Sequence, residues 1–385
     1  MIYFDNAATT QPRDEVVAEM TRYLTGEYGN PSSIYGFATG PRHAVDKARG
    51  QVASLVNANA DEIIFTGCGT ESDNWAVKGV VESFSGKKNH IITQATEHHA
   101  VLYACHYMEK KGVRVTYLPV DANGLIDIDD LKNAISDDTA LITIMCANNE
   151  IGTIQPIAEI GKIAREWGVL FHTDAVCAAG KIPIDVKAQN IDLLSISAHK
   201  LYGPKGVGAL FVRKGIKLPP MLHGGGQEHN KRAGTENVPG IVGFGLAAEF
   251  AREELNDEAV KQTAIRDKII DGLLASIPHC RLNGDRTKRL PGNANLSFEY
   301  VEGESILLML DMAGFAASSG SACTSGSLDP SHVLLAIGLS HETAHGSLRI
   351  TLGRYNTMAE ADALLTALPP IIQKLRDMSP LYKKS

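Results

Sequence analysis

Three strand-like runs of this 385-residue chain end in residues whose chemistry is complementary. The stretch "SISAHKLYGPKG", Ser195 to Gly206, closes an apolar run with Ser197, His199 and Lys200, then breaks on glycine and proline. A lysine at a strand's carboxyl end, among small polar groups, is placed to lose solvation. That lowers the proton affinity of its amine and frees it for Schiff-base chemistry with a carbonyl. A solvated loop lysine is the other reading of the same residue. In "GVLFHTDA", Asp174 closes a second apolar run, where a carboxylate is costly unless partnered. One partner is a pyridinium nitrogen, which the carboxylate keeps protonated so that a pyridoxal phosphate ring can take up electrons. The alternative is a helix N-cap. "FTGCGTESDN", Phe65 to Asn74, runs from a strand into a glycine turn and opens a helix at Thr70, Glu71 and Ser72. Free backbone N–H groups and the positive end of the helix suit that place to a phosphate. The pattern is neither G-x-G-x-x-G, since Ser72 takes the third place, nor a Walker A loop.

Other stretches are less decided. In "ATEHHAVL", His98 follows a strand end and is placed to stack on a flat ring, though His99 is its neighbour. In "CANNEIG", Asn148 and Asn149 end a strand and are compatible with a plain turn. "SSGSACTSGS", Ser318 to Ser327, sets Cys323 among residues that neither pack a core nor follow a helix or strand pattern. That composition predicts a mobile loop resuming order near Pro330, with Ser331 as an N-cap. "HETAH", His341 to His345, matches the H-E-x-x-H zinc pattern. Zinc chemistry there needs a sustained helix and a third ligand. Gly338 and Gly346 bound the motif closely, so the expected site contains no metal.

The elements that must position these residues show in the periodicity. Between about Asp61 and Arg213, the runs "EIIFTG", "NHIITQAT", "VRVTYLPV", "ALITIMCA", "GVLFHTDA", "DLLSISAH" and "GALFVR" alternate with helical patterns. In "IAEIGKIAREWG", Ile157, Ile160, Ile163, Ala164 and Trp167 fall on one helical face. Such alternation implies βαβ units and a mostly parallel sheet covered on both sides, with ligands bound beyond the carboxyl ends of its strands. A long helix is expected over about Val242 to Ala275, and a final helix broken at Pro369 and Pro370. With 44% hydrophobic and 21% charged residues, the chain is expected to be globular rather than disordered. A net charge of −7 argues against a broad nucleic-acid footprint. No signal peptide or membrane span is apparent, and six scattered cysteines read as reduced thiols of a cytoplasmic protein.

Taken in order, "FDNAATT", "NPSS", "GTESDN", "TEHHAV", "NNEIG", "HTDA", "SAHKLYGPKGVGAL", "HGGGQE", "RAGTENV", "SSGSAC" and "LRITLGRYNT" closely resemble the cysteine desulfurases, from Tyr3 to Thr357. These are pyridoxal-phosphate enzymes of the class V aminotransferase type, and the Cys323 segment is similar to that of their long-loop branch. The resemblance implies an α/β fold of the type I pyridoxal-phosphate transferases. Its large domain, residues 15–255, would carry a mostly parallel seven-stranded sheet. A smaller α+β domain, residues 1–14 and 256–385, would carry the mobile loop at about 318–330.

It implies roles as well. Lys200 would be the Schiff-base lysine, Asp174 the carboxylate on the pyridine nitrogen and His98 the ring-stacking residue and proton carrier. Gly69, Thr70, Ser197 and His199 would cradle the phosphate, with Thr235 reaching it from the other subunit of a homodimer. Asn149 would touch cofactor and substrate, Arg349 would clamp the substrate carboxylate, and Cys323 would take up sulfur as a persulfide while L-cysteine becomes L-alanine. The sulfur would pass to an acceptor such as an iron–sulfur scaffold or a tRNA-thiolation enzyme. One departure stands out. Where the family carries a glutamine hydrogen-bonded to the cofactor's phenolic oxygen, this chain has Cys177, a weak donor. Cys68 and Cys146 also fall near the expected site. A selenocysteine lyase on the same scaffold and a zinc hydrolase using His341 and His345 are the alternative readings.

Overall fold

A computed structural model describes residues 1–319, 329–380 and 382. Cys323 and most of the predicted mobile segment lie outside the described residues. All seven expected runs form strands of one sheet: β1 (Ile63–Thr66), β2 (His90–Gln94), β3 (Arg114–Leu118), β4 (Thr139–Thr143), β5 (Leu170–Asp174), β6 (Leu193–Ser197) and β7 (Gly208–Val212). Their order is β1-β7-β6-β5-β4-β2-β3. Every pair is parallel except the two that β7 makes, with β1 and β6. Helices cover both faces, which is why inner strands read as unbroken apolar runs instead of alternating ones. One apolar layer gathers around Phe65, Phe171, Ile196 and Phe244, and the opposite one around Trp75, Ile91 and Leu141. Because parallel strands share a direction, the carboxyl ends of β2, β4, β5 and β6 come together at one edge.

A second, antiparallel sheet follows, with β8 (Cys280–Leu282), β9 (Asn293–Phe298) and β10 (Ser347–Thr351) in that order. Its own core includes Phe4, Ile269, Phe298, Ile350 and Leu368. The first residues run between the two sheets. The Phe4 carbonyl accepts from Thr351 N at 2.7 Å, and Thr10 N donates to the His199 carbonyl at 2.9 Å.

Three expectations are corrected. Trp167 ends its helix half-exposed, while Ile157, Ile160, Ile163 and Ala164 are buried as the spacing required. Gly168, at φ 63°, caps that helix in the left-handed region. The single long helix is two, Val238–Glu253 and Leu255–Ser276. The chain turns at Glu254, whose carboxylate takes two bonds from Arg13 at 2.8 and 2.9 Å. Pro369 and Pro370 sit inside an unbroken helix, Met358–Met378. Leu364, Leu368, Ile371 and Ile372 bury a stripe on both sides of the prolines, and Pro370 faces solvent. Tertiary packing there outweighs the loss of backbone donors. Ser331 caps its helix as expected, its Oγ accepting from Val333 N and Leu334 N.

Candidate active site

The carboxyl edge of the large sheet opens on a cavity of about 380 Å³. Lys200 lies in a short turn, Ala198–Lys200, directly after β6. Its Nζ donates to the carbonyls of Ala7 and Ala8, the latter at 2.8 Å. Asp174 is the last residue of β5 and is buried. No helix follows it. Its Oδ1 accepts from Val176 N at 2.8 Å, and its other oxygen is free for a partner. Burial raises the Asp174 carboxyl to about 6, against the Val176 N–H and the Lys200 charge.

The glycine turn leaves β1 through Cys68, in extended backbone, into helix α1 (Gly69–Ser83). The first N–H groups of such a helix have no intrahelical partner. A side chain at Gly69 would come within 2.6 Å of Val176 Cγ2, so only glycine lets the loop close on that residue. Beside Gly69, buried Ser197 Oγ has no hydrogen-bond partner. His199 Nδ1 lies 3.2 Å from Thr9 Oγ1, and burial with Lys200 nearby lowers the ring to about 4. It is neutral at pH 7.

His98, not His99, faces the cavity. It caps helix α2 (His99–Glu109), its Nδ1 accepting from Ala100 N at 3.1 Å. That bond leaves Nε2 as the protonated nitrogen of the neutral ring. Burial, then the Lys200 charge, holds His98 at about 4. His99 instead packs on His332, ring centres 4.7 Å apart.

Arg349, in the middle of β10, is almost wholly buried. Its Nη2 donates to Asp5 Oδ1 at 3.0 Å and its Nη1 to the Asn149 carbonyl at 3.3 Å, while Nε has no partner. Asn149 lines the cavity beside it.

Cys177, buried, and Cys68, exposed, both line the cavity. Cys146 does not, and burial pushes its thiol up to about 12. Thr235 lies outside the cavity of its own chain, exposed in a separate cleft with Arg232 and Glu236. His341 and His345 are both exposed on a helix of five residues, away from the cavity.

Three acidic residues were missed by reasoning from sequence: Asp5, Asp73 and Glu150. Each sat inside a quoted motif, but its partner is distant in the chain. Glu150 is buried, and its Oε2 accepts from Ser331 Oγ at 2.5 Å. Burial lifts its carboxyl from 4.5 to about 7, opposed by Ser331 and Arg349. The folded state therefore holds this proton more tightly than the unfolded chain. The resulting cost is absent below pH 4.5, grows as pH rises to about 7, and is constant above. Glu150→Gln keeps an acceptor for Ser331 and removes the titration. Thermal melts at a series of pH values should show a gain over the parent that widens across this window and levels off at about 3 kcal/mol. A gain independent of pH would contradict the assignment.

The donor set fits pyridoxal phosphate. Ser197 Oγ and Arg349 Nε are buried without partners, a helix N-terminus faces the space, and a carboxylate and an amine stand at separate strand ends. Residues 2–364 match the aminotransferase class-V family. A protein named cysteine desulfurase IscS, from Methanosarcina thermophila, is 56% identical over 383 residues, covering 100% of this chain and 95% of that one. A solved structure described as a NifS-like protein superposes with a TM-score of 0.92 at 39% identity, over 97% of this chain and 100% of its own. Another, described as SspA in complex with cysteine, gives 0.83 at 39% identity, over 93% and 100%.

Proposed function

The chain belongs to the aminotransferase class-V family, and on that basis we infer how its cavity works as the site of a pyridoxal-phosphate-dependent cysteine desulfurase. The overall reaction takes L-cysteine to L-alanine and leaves the sulfur as a persulfide. The observation that carries the residue assignment is the meeting of Lys200, Asp174, His98 and Arg349 in one cavity, with Ser197 Oγ and Arg349 Nε unpartnered.

Gly69, Thr70, Ser197 and His199 would hold the phosphate and Asp174 the ring nitrogen, with Cys177 in the wall of the same cavity. The bound cofactor supplies a carbonyl that joins amines and a ring that takes up the electrons released at the substrate's Cα. Lys200 would be the amine that holds that carbonyl. The free Lys200 amine would take the proton from the substrate's Cα. His98, with Nδ1 engaged, keeps an Nε2–H that would serve proton transfer in the cavity. Arg349 turns from Asp5 to the substrate carboxylate, which its planar fork meets with two parallel bonds. The Cys323 thiolate then attacks the substrate sulfur. An S–S bond forms and the substrate's C–S bond breaks. Its electron pair stays on carbon, which takes a proton and becomes the methyl group of alanine.

Thr235 serves the phosphate of a second copy of the chain, consistent with its exposed place outside its own cavity. The persulfide passes to an acceptor protein of iron–sulfur cluster assembly. The test is addition of L-cysteine to the cofactor-loaded protein. Alanine should appear in step with protein-bound persulfide, and alanine without persulfide would overturn the scheme. Arg349→Lys keeps the charge but loses the fork, so KM for L-cysteine should rise about 10- to 100-fold with a smaller change in kcat. An unchanged KM would remove Arg349 from the substrate site.

A further inference from the structure

Two carboxyl groups line the inner wall of the cavity and a third lies buried close by. Asp73 on α1, Glu97 in the turn after β2 and Asp174 at the end of β5 are 1%, 0% and 5% exposed. One oxygen of Asp73, one of Asp174 and one ring nitrogen of His98 lie within 4.8 Å of one another. Two full negative charges at that spacing, out of water, repel each other strongly.

The surrounding groups relieve this only in part. Glu97 is committed elsewhere, its Oε1 accepting from Met145 N at 2.6 Å. Lys200 faces Asp174 and His98. Asp73 Oδ1 has no hydrogen-bond partner. The His172 ring stands 3.7 Å from it. That ring is fully buried, with Nδ1 2.8 Å from Thr143 Oγ1 and Nε2 3.0 Å from Ser195 Oγ. Burial lowers His172 to about 3, so it brings no positive charge. His98 is neutral for the same reason, and Cys68 and Cys146 add no cation. The cation acting on the pair is the Lys200 amine, which faces Asp174, and that amine must leave Asp174 free for a ring nitrogen.

We propose that Asp73 is a positioning residue that holds a proton beside Asp174, so that the pair carries a single negative charge and Asp174 alone answers the cofactor's ring nitrogen. Burial and the Asp174 charge push the Asp73 carboxyl well above the usual carboxylate range, with Glu97 and Cys68 acting in the same direction and the Ser195 hydroxyl against. The proton follows from the geometry of the chain itself. Its service to the ring nitrogen rests on the pyridoxal-phosphate reading above.

Infrared spectroscopy of the cofactor-loaded protein tests this, with aspartate side chains carrying ¹³C at the carboxyl so that Glu97 does not interfere. At pH 7 the parent should show an aspartic acid C=O band, and Asp73→Asn should lose it. A parent without the band overturns the proposal whether or not the variant folds. So does a band that survives in Asp73→Asn, or one equivalent of divalent metal found in the purified protein. The same sample reports on the underlying reading through its visible colour and its alanine formation from L-cysteine. A coloured, alanine-forming protein without the band overturns the Asp73 role alone. A protein that shows the band but takes up no cofactor keeps the proton and overturns its service to a ring nitrogen together with the pyridoxal-phosphate reading.

Discussion

Lys200→Ala is expected to abolish turnover while the protein still takes up pyridoxal phosphate. The substitution removes the Nζ that the sequence leaves at the end of β6 and that the fold aims at Ala7 and Ala8. Gly69, Thr70, Ser197, His199 and Asp174 are unchanged in the variant. Cofactor retention rests on those groups. Both the covalent anchor and the mobile proton carrier are lost, so alanine formation should fall by roughly 10⁴-fold or more. Borohydride treatment followed by mass measurement separates the two effects. The parent should gain the mass of a fixed cofactor and the variant should not. A variant that still becomes covalently labelled would place the Schiff base on another amine.

Cys323→Ala should likewise retain cofactor and lose persulfide. The other thiols define what could replace it. Cys146 is pushed up to about 12 and Cys105 higher still, so neither supplies thiolate near neutral pH. Cys68 and Cys177 line the cavity and are the ones to watch. If Cys323 is the acceptor, mass mapping after L-cysteine should find the extra sulfur on its peptide in the parent and on no cysteine in the variant. Alanine formation should drop at least about 100-fold, the scale of losing an activated nucleophile. Sulfur found on Cys177 or Cys68 of an active variant would move the acceptor into the cavity wall.

The seven strands were legible because each is a short β-branched run, and buried parallel strands need no alternation. The place of Lys200 and Asp174 at the cavity was legible because both end apolar strands of a parallel sheet, which opens its cavities beyond the carboxyl ends. The choice between His98 and His99 was not, since it turns on which ring the α2 cap points inward. Nor was the break at Glu254, set by Arg13 some 241 positions earlier. Asp5 stands 344 residues from Arg349, and the His172 ring against Asp73 is a product of β5 lying next to α1. Spacing along a chain reports the faces of single elements. Contacts between sheet, helix and leading segment are written only in the assembled fold. Pro369 and Pro370 show the converse, a strong local signal overruled by the stripe they interrupt.

The segment from Asp5 to Ala8 engages both cations of the cavity, Arg349 through a carboxylate and Lys200 through two carbonyls. Ligand uptake at either cation is therefore an exchange reaction rather than a simple addition. The affinity measured for any amino acid or carboxylate inhibitor is the difference between its grip and that of the chain's own leading residues. A weak inhibitor constant would then speak of a strong internal competitor as much as of a poor ligand.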